Sequence, residues 1–368
     1  MGNAADKPTL QLRATLQVPE IPNFGRQKTK RIASNLIRSG YGSLLAAAGV
    51  VFTAAVPAVA QTQIDQTHTP TARQQGPPPW AFPVQLPGEP ASDDGIPRHL
   101  IGSSATFSLT RIRDLFVVSD WYPDDHPLMP EVVARGRKPV LFACGYCHLP
   151  NGQGRPENAG LAGLPAAYIV QQLADYRGGR RRSSEPRMAP PGRMLAVAMA
   201  ASEDEVKAAA DYFSSLKFKP WIRVIESQTV PRTRVEDMLV PLEGGAMEPI
   251  GQRIIEVPED VGRTELRDPR SAFIAYVPPG SIKEGELLVT TGAGKTIRCG
   301  ICHGQDLKGL WTVPPIAGRS PSYIVRQLYD IQSGARAGLA SPLMKEVVTK
   351  LTTRDLVSIA AYAASRSP

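Results

Sequence analysis

Cysteine is scarce in this 368-residue chain: there are four, and all fall in two pentads, Cys144-Gly-Tyr-Cys147-His148 and Cys299-Gly-Ile-Cys302-His303. That scarcity excludes a closed zinc ribbon, whose second thiolate pair comes roughly 15 to 20 residues after the first. Here the pairs stand 155 positions apart. A thioredoxin-like pair is excluded too, because it needs one Cys-x-x-Cys inside a βαβ pattern and has no use for a following His. Apolar runs are short as well. Leu44 to Ala60 contains Pro57 and falls below the roughly 20 residues of a membrane span. Lasting positive charge is also missing. Residues 1–60 hold seven of the 42 Lys and Arg and two of the 34 Asp and Glu, so removing them lowers the formal charge from +8 to +3. A nucleic-acid partner therefore has little electrostatic support.

What is present begins with those pentads. Cys-x-x-Cys-His is the attachment signature of c-type haem, in which two thiols bond the haem vinyls and the imidazole is placed under the iron. The sequence resembles cytochromes c here, over about residues 130 to 218 and 280 to 366. The resemblance implies an all-α fold, two class I cytochrome c haem domains in tandem joined by a long, partly β linker. It also implies two haem c groups, held by Cys144, Cys147, His148, Cys299, Cys302 and His303.

The basic segment 26–38 leads into the apolar run that ends Ala58-Val-Ala60. This reads as a signal peptide over 1–60 cleaved before Gln61, with an uncleaved anchor as the competing reading. Both predict export to the periplasm. A Pro-, Gln- and Thr-rich stretch from Gln61 to about Asp94 reads as an extended tether, part of a tether and lead-in over 61–115. Apolar residues return between Ile101 and Tyr122 and are expected to pack on the first haem domain.

With the pentads in register at an offset of 155, Tyr168-Ile-Val-Gln-Gln-Leu173 falls on Tyr323-Ile-Val-Arg-Gln-Leu328. The offset then drops to 150, laying Met194 on Met344 and Tyr212 on Tyr362. This predicts domains over 116–220 and 280–368, separated by a linker over 221–279 with strands near 221–225, 253–257 and 273–277. Capping boxes at Ser202-Glu-Asp-Glu205 and Ser281-Ile-Lys-Glu284 predict helix starts. Helices are also expected over 167–175, 322–331 and 352–365, with a methionine loop before each terminal helix.

The family pattern makes His148 and His303 the proximal ligands. Met344 is the only Met after Cys302, about 41 residues past His303, and is expected as the sixth ligand of the second iron. Met194 stands eight residues before Ser202, as Met344 stands eight before Thr352, which favours it over Met188, Met199 and His126 for the first. Met199 is expected as a core residue and His126 as exposed. In class I cytochromes a Pro some twelve residues after the His supplies a carbonyl to its N–H; Pro315 has that spacing, and the first equivalent is Gly160. A basic stretch with Arg177, Arg180, Arg181, Arg182, Arg187 and Arg193 suits docking of an acidic redox partner. The implied function is electron transfer with no catalytic residue, in a periplasmic respiratory chain or as the cytochrome subunit of a dehydrogenase, in association with a membrane-bound dehydrogenase or oxidase. The rival is a dihaem enzyme such as a cytochrome c peroxidase, against which a methionine for each iron argues.

Overall fold

The computed structural model describes residues 76–86, 88 and 92–368. The expected signal peptide and the start of the tether lie outside them. A short ladder, β1 (Arg98–His99) with β2 (Thr106–Phe107), and helix α1 (Leu109–Ile112) come first. The first pentad follows, set among α2 (Glu131–Ala134), α3 (Cys144–His148), α4 (Ala166–Arg177), α5 (Ala189–Ala200) and α6 (Glu203–Ser215). Strands β3 (Ile222–Glu226), β4 (Thr229–Pro231), β5 (Thr233–Glu236), β6 (Met238–Pro241), β7 (Met247–Pro249) and β8 (Ile255–Pro258), helix α7 (Val261–Glu265) and strand β9 (Phe273–Val277) fill the middle. The second pentad lies among α8 (Ser281–Thr291), α9 (Gly300–His303), α10 (Pro321–Ser333), α11 (Ser341–Val348) and α12 (Thr353–Ala364).

Both terminal helices start where their sequence says they should. The Ser202 hydroxyl accepts from Glu205 N while the Glu205 carboxylate accepts from Ser202 N, and Thr352 with Asp355 repeats the arrangement. Two donors that a helix start would otherwise leave bare are thus satisfied. The face Val206, Ala209, Ala210 and Phe213 is buried as its spacing requires, and α12 is buried on nearly every side. The expected box at Ser281 does not form. The cap there is Gly280 in the left-handed region, and Ser281 is a buried first helical residue.

The halves differ most before the pentad. Helix α8 crosses α12 so closely that a Cβ on Gly285 would lie 1.9 Å from the Ser358 carbonyl oxygen, which makes glycine obligatory there. Its counterpart α2 is a single turn capped by Pro130, since proline has no N–H to extend the ladder and disfavours helix before it.

The connection departs from the all-α pattern. Central β9 pairs parallel with β3 and antiparallel with β8, while β4–β7 and β5–β6 form two antiparallel ladders. Only the three sheet strands carry the β-branched runs visible in sequence. This segment is packed on both halves. The Arg267 guanidinium lies 3.6 Å from the Tyr146 ring centroid and donates to the Tyr146 carbonyl at 2.9 Å, and buried Glu256 accepts from Ser320 Oγ at 2.7 Å and Ser322 Oγ at 2.6 Å.

The expected tether is shorter than its composition implies. Ala81 and Phe82 are buried in the core built by α8, α10 and α12, with Phe82 edge-on to Tyr329 at 5.7 Å. The lead-in packs two ways: Leu115 and Val118 against Ala143 and Tyr146, and Trp121 against the connection, donating to the Leu266 carbonyl at 2.8 Å.

Candidate functional site

Each pentad ends as a helical turn with its His buried, 7 % exposed at His148 and 8 % at His303. His148 Nδ1 donates to the Ala159 carbonyl at 2.8 Å and His303 Nδ1 to the Pro314 carbonyl at 2.8 Å. The acceptor is eleven residues after the His in both halves, one earlier than the Pro315 and Gly160 expected from sequence. Committing Nδ1 to a carbonyl fixes the tautomer and leaves Nε2 as the nitrogen available to a metal. Burial depresses both imidazoles, His148 down to about 4, so both are neutral at neutral pH.

None of the thiols is disulfide-bonded, and burial pushes Cys144 up to about 12 and Cys299 to about 11, so neither is a reactive thiolate. Among the described residues no three His, Cys, Asp or Glu converge as a metal-binding group.

Cys144, Cys147 and His148 line an open, mainly apolar cavity walled by Phe142, Leu161, Ile169, Leu173, Val197 and Phe213. Met194 lines the same cavity. Its rivals are elsewhere. Met188 is 1 % exposed and packed in the core of the other half, and Met199 is 65 % exposed, not in a core as its apolar neighbours suggested. His126, expected at the surface, has a side chain only 4 % exposed, bonded through Nε2 to Asp120 at 3.2 Å and edge-on to Tyr212. In the second half Cys299 and Met344 pack on one core, and the apolar side chains Ile301, Leu310, Leu339 and Leu343, on the pentad turn, the loop after it and either side of the start of α11, are open to solvent. Both methionines are on helices, α5 and α11, where loops were expected. Pro190 and Pro342 sit in the first turns, the one place a helix accepts proline readily.

An apolar cavity lined by two thiols, a buried imidazole with free Nε2 and a thioether fits a haem bonded through its vinyls. The family model described as "Cytochrome c" matches residues 133–217. Cytochrome c-554(548) of Halomonas halodenitrificans is 33 % identical over 76 residues, 20 % of this chain and 92 % of that protein. The chain belongs to the cytochrome c family. Its cofactor is covalently bound haem c, and its function is cytochrome c electron transfer. Two further relatives match over different spans of the chain. A protein named thiosulfate dehydrogenase electron acceptor, from Stutzerimonas stutzeri, is 25 % identical over 234 residues, 62 % of this chain and 82 % of that one. Cytochrome c4 of Pseudomonas aeruginosa is 38 % identical over 76 residues, 20 % of this chain and 36 % of that one.

The basic stretch does not form one exposed cytochrome docking face. Arg177 caps α5 through the Ala198 and Ala201 carbonyls, Arg181 is partly buried between the halves, and Arg193 faces Asp237 at 3.4 Å. Arg180, Arg182 and Arg187 remain exposed, Arg180 paired with Asp175 at 3.1 Å and Arg187 with Glu185 at 2.7 Å. Sequence reasoning missed Arg319 and Arg336, whose partners in the other half are 157 to 168 residues away and leave no local signal.

Proposed function

We propose that the chain carries two haem c groups, one per pentad, in domains over 116–220 and 280–368, and relays electrons between redox proteins in the periplasm after export directed by residues 1–60. The observation that carries this reading is the presence of Met194 in the cavity of Cys144, Cys147 and His148, at the repeat position of Met344. Bound haem c supplies a one-electron iron couple. The protein's part is to attach it through Cys144 and Cys147, and through Cys299 and Cys302, and to offer His148 and Met194 to one iron, His303 and Met344 to the other. The two carbonyl bonds at Nδ1 orient each imidazole and raise the basicity of Nε2. A thioether ligand from Met194 or Met344 would favour ferrous iron and a high potential. With two protein ligands offered to each iron, neither site would be left open for substrate, and no residue of the chain would have bond-breaking work to do.

The donor suggested by the relative matched over 234 residues is a thiosulfate dehydrogenase, with the exposed Arg180, Arg182 and Arg187 available to an acidic partner surface. No helix among the described residues is long and apolar enough to cross a membrane. Association with a membrane-bound dehydrogenase or oxidase would thus run through the protein surface or through residues 1–60. Rapid mixing of the oxidised protein with a thiosulfate dehydrogenase and thiosulfate tests the reading: reduction of both haems in a salt-dependent reaction is expected. Turnover of peroxide at the rate of a dedicated peroxidase would replace it with the enzyme reading.

A further inference from the structure

One arginine holds the backbone beside both proximal histidines. Arg319 is 8 % exposed. Its Nη1 donates to the Gly160 carbonyl at 2.6 Å, one residue past the Ala159 carbonyl that holds His148. Its Nε donates to the Pro315 carbonyl at 2.8 Å, one residue past the Pro314 carbonyl that holds His303. Its Nη2 donates to the Ala162 carbonyl at 2.9 Å, and the guanidinium lies 4.2 Å from the Phe218 ring centroid. Burial lowers it to about 10, which leaves it cationic at neutral pH, and the ionisable neighbours it senses are Tyr168 and Tyr323, with no carboxylate. The repeat position of Arg319 in the first half is Leu164, so two symmetric loops share a single, unsymmetric clasp.

A buried cation that is compensated by carbonyl dipoles and an aromatic face instead of an anion keeps its field in the low-dielectric interior. That field favours whichever oxidation state of a nearby group carries the lower positive charge, which for iron is ferrous. It acts on both sites because the guanidinium bonds to the residue next to each histidine's carbonyl partner.

We propose that Arg319 is a shared positioning residue for the two haem sites, raising both reduction potentials together. This rests on the two-haem reading above. Spectroscopic redox titration of the exported holoprotein tests it in Arg319→Gln, with Arg319→Lys as the charge-retaining variant. Arg319→Gln is expected to shift the reduction equilibrium of each haem about tenfold towards ferric, 59 mV for a one-electron couple. It should also move the Nδ1 proton resonances of both axial histidines. Arg319→Lys, which keeps the charge but not the three-way fork, is expected to move both potentials the same way by less; it carries the test alone if the Gln variant does not accumulate. Arg336→Gln serves as control, because Arg336 bonds across the junction without touching either proximal loop; it is expected to lower Tm and leave the potentials in place. A shift at only one haem, no shift at either, or an equal shift in Arg336→Gln overturns the proposal. A wild-type protein lacking two covalent haems would instead fail the reading beneath it.

Discussion

Arg181 and Arg336 face each other across the junction of the two halves, and each bonds to the other's half. Their backbones form an antiparallel bridge, with Arg182 N donating to Ala335 O at 2.8 Å and Ala337 N to Arg180 O at 2.7 Å. Arg181 donates to Tyr323 Oη at 2.9 Å and Gln327 Oε1 at 3.2 Å, and Arg336 donates to Tyr168 Oη at 2.9 Å and Gln172 Oε1 at 2.9 Å. All three residue pairs, Arg181 with Arg336, Tyr168 with Tyr323 and Gln172 with Gln327, are related by the repeat offset of 155. The two repeated halves meet through the same surface, which is how a two-fold interface is built.

That symmetry predicts matched costs. Arg181→Gln and Arg336→Gln should each destabilise by about 1–3 kcal/mol, because each strands polar groups in the junction. Calorimetry of the holoprotein should show each variant down by several degrees, and the double variant should fall short of additivity, since the two arginines share Gln172 and Gln327.

Met194 and Met188 should separate ligation from packing. Met194→Ala is expected to remove half of the ferric iron–thioether absorption with little loss of stability. Met188→Ala is expected to keep that absorption and to cost about 2–5 kcal/mol, the range for emptying a buried methionine site. Paired absorption and thermal melts read both quantities, and a halved band in Met188→Ala would reverse the assignment.

Two helical glycines should respond with opposite signs. Gly285→Ala drives a methyl into the Ser358 carbonyl where α8 crosses α12, so a loss of about 1–3 kcal/mol or more is expected. Gly192 in α5 has open space around its Cβ position, and Gly192→Ala should stabilise by about 0.4–1 kcal/mol through the unfolded chain. Denaturant midpoints distinguish them.

His126 supplies a pH dependence. Burial alone would lower its pKa, but the bonds to Asp120 and the Pro127 carbonyl and the nearby Asp125 carboxylate outweigh burial and raise it above 6.5. A raised folded value means that this stabilisation is full below the unfolded value and is lost as pH climbs through the folded one. Tm should therefore decline as pH rises above about 6.5, and His126→Gln should flatten that decline.

What the sequence made legible was whatever is local or repeated. The pentads, the capping box at Ser202, the helix start at Thr352, and the register that brought Met194 rather than Met188 to the first cavity all depend on spacing along the chain. What it hid depends on pairing across the chain. Arg181 read as part of a basic surface because its partners lie 142 and 146 residues away, and His126 read as exposed because its turn-like flanks say nothing of Tyr212 above it. Ser281 had the right box residues, but a left-handed Gly280 had already ended the preceding chain and started the helix one step early. The proximal carbonyl was misplaced by one residue because spacing locates a loop and only the fold locates the carbonyl within it.

The most direct test of the account is the haem-to-protein ratio of the exported chain by alkaline pyridine spectroscopy, measured with the ferric spectrum at neutral pH. Two covalent haems per chain, both low-spin and both contributing iron–thioether absorption, are predicted. One haem per chain, or a high-spin ferric haem in the resting protein, would contradict it.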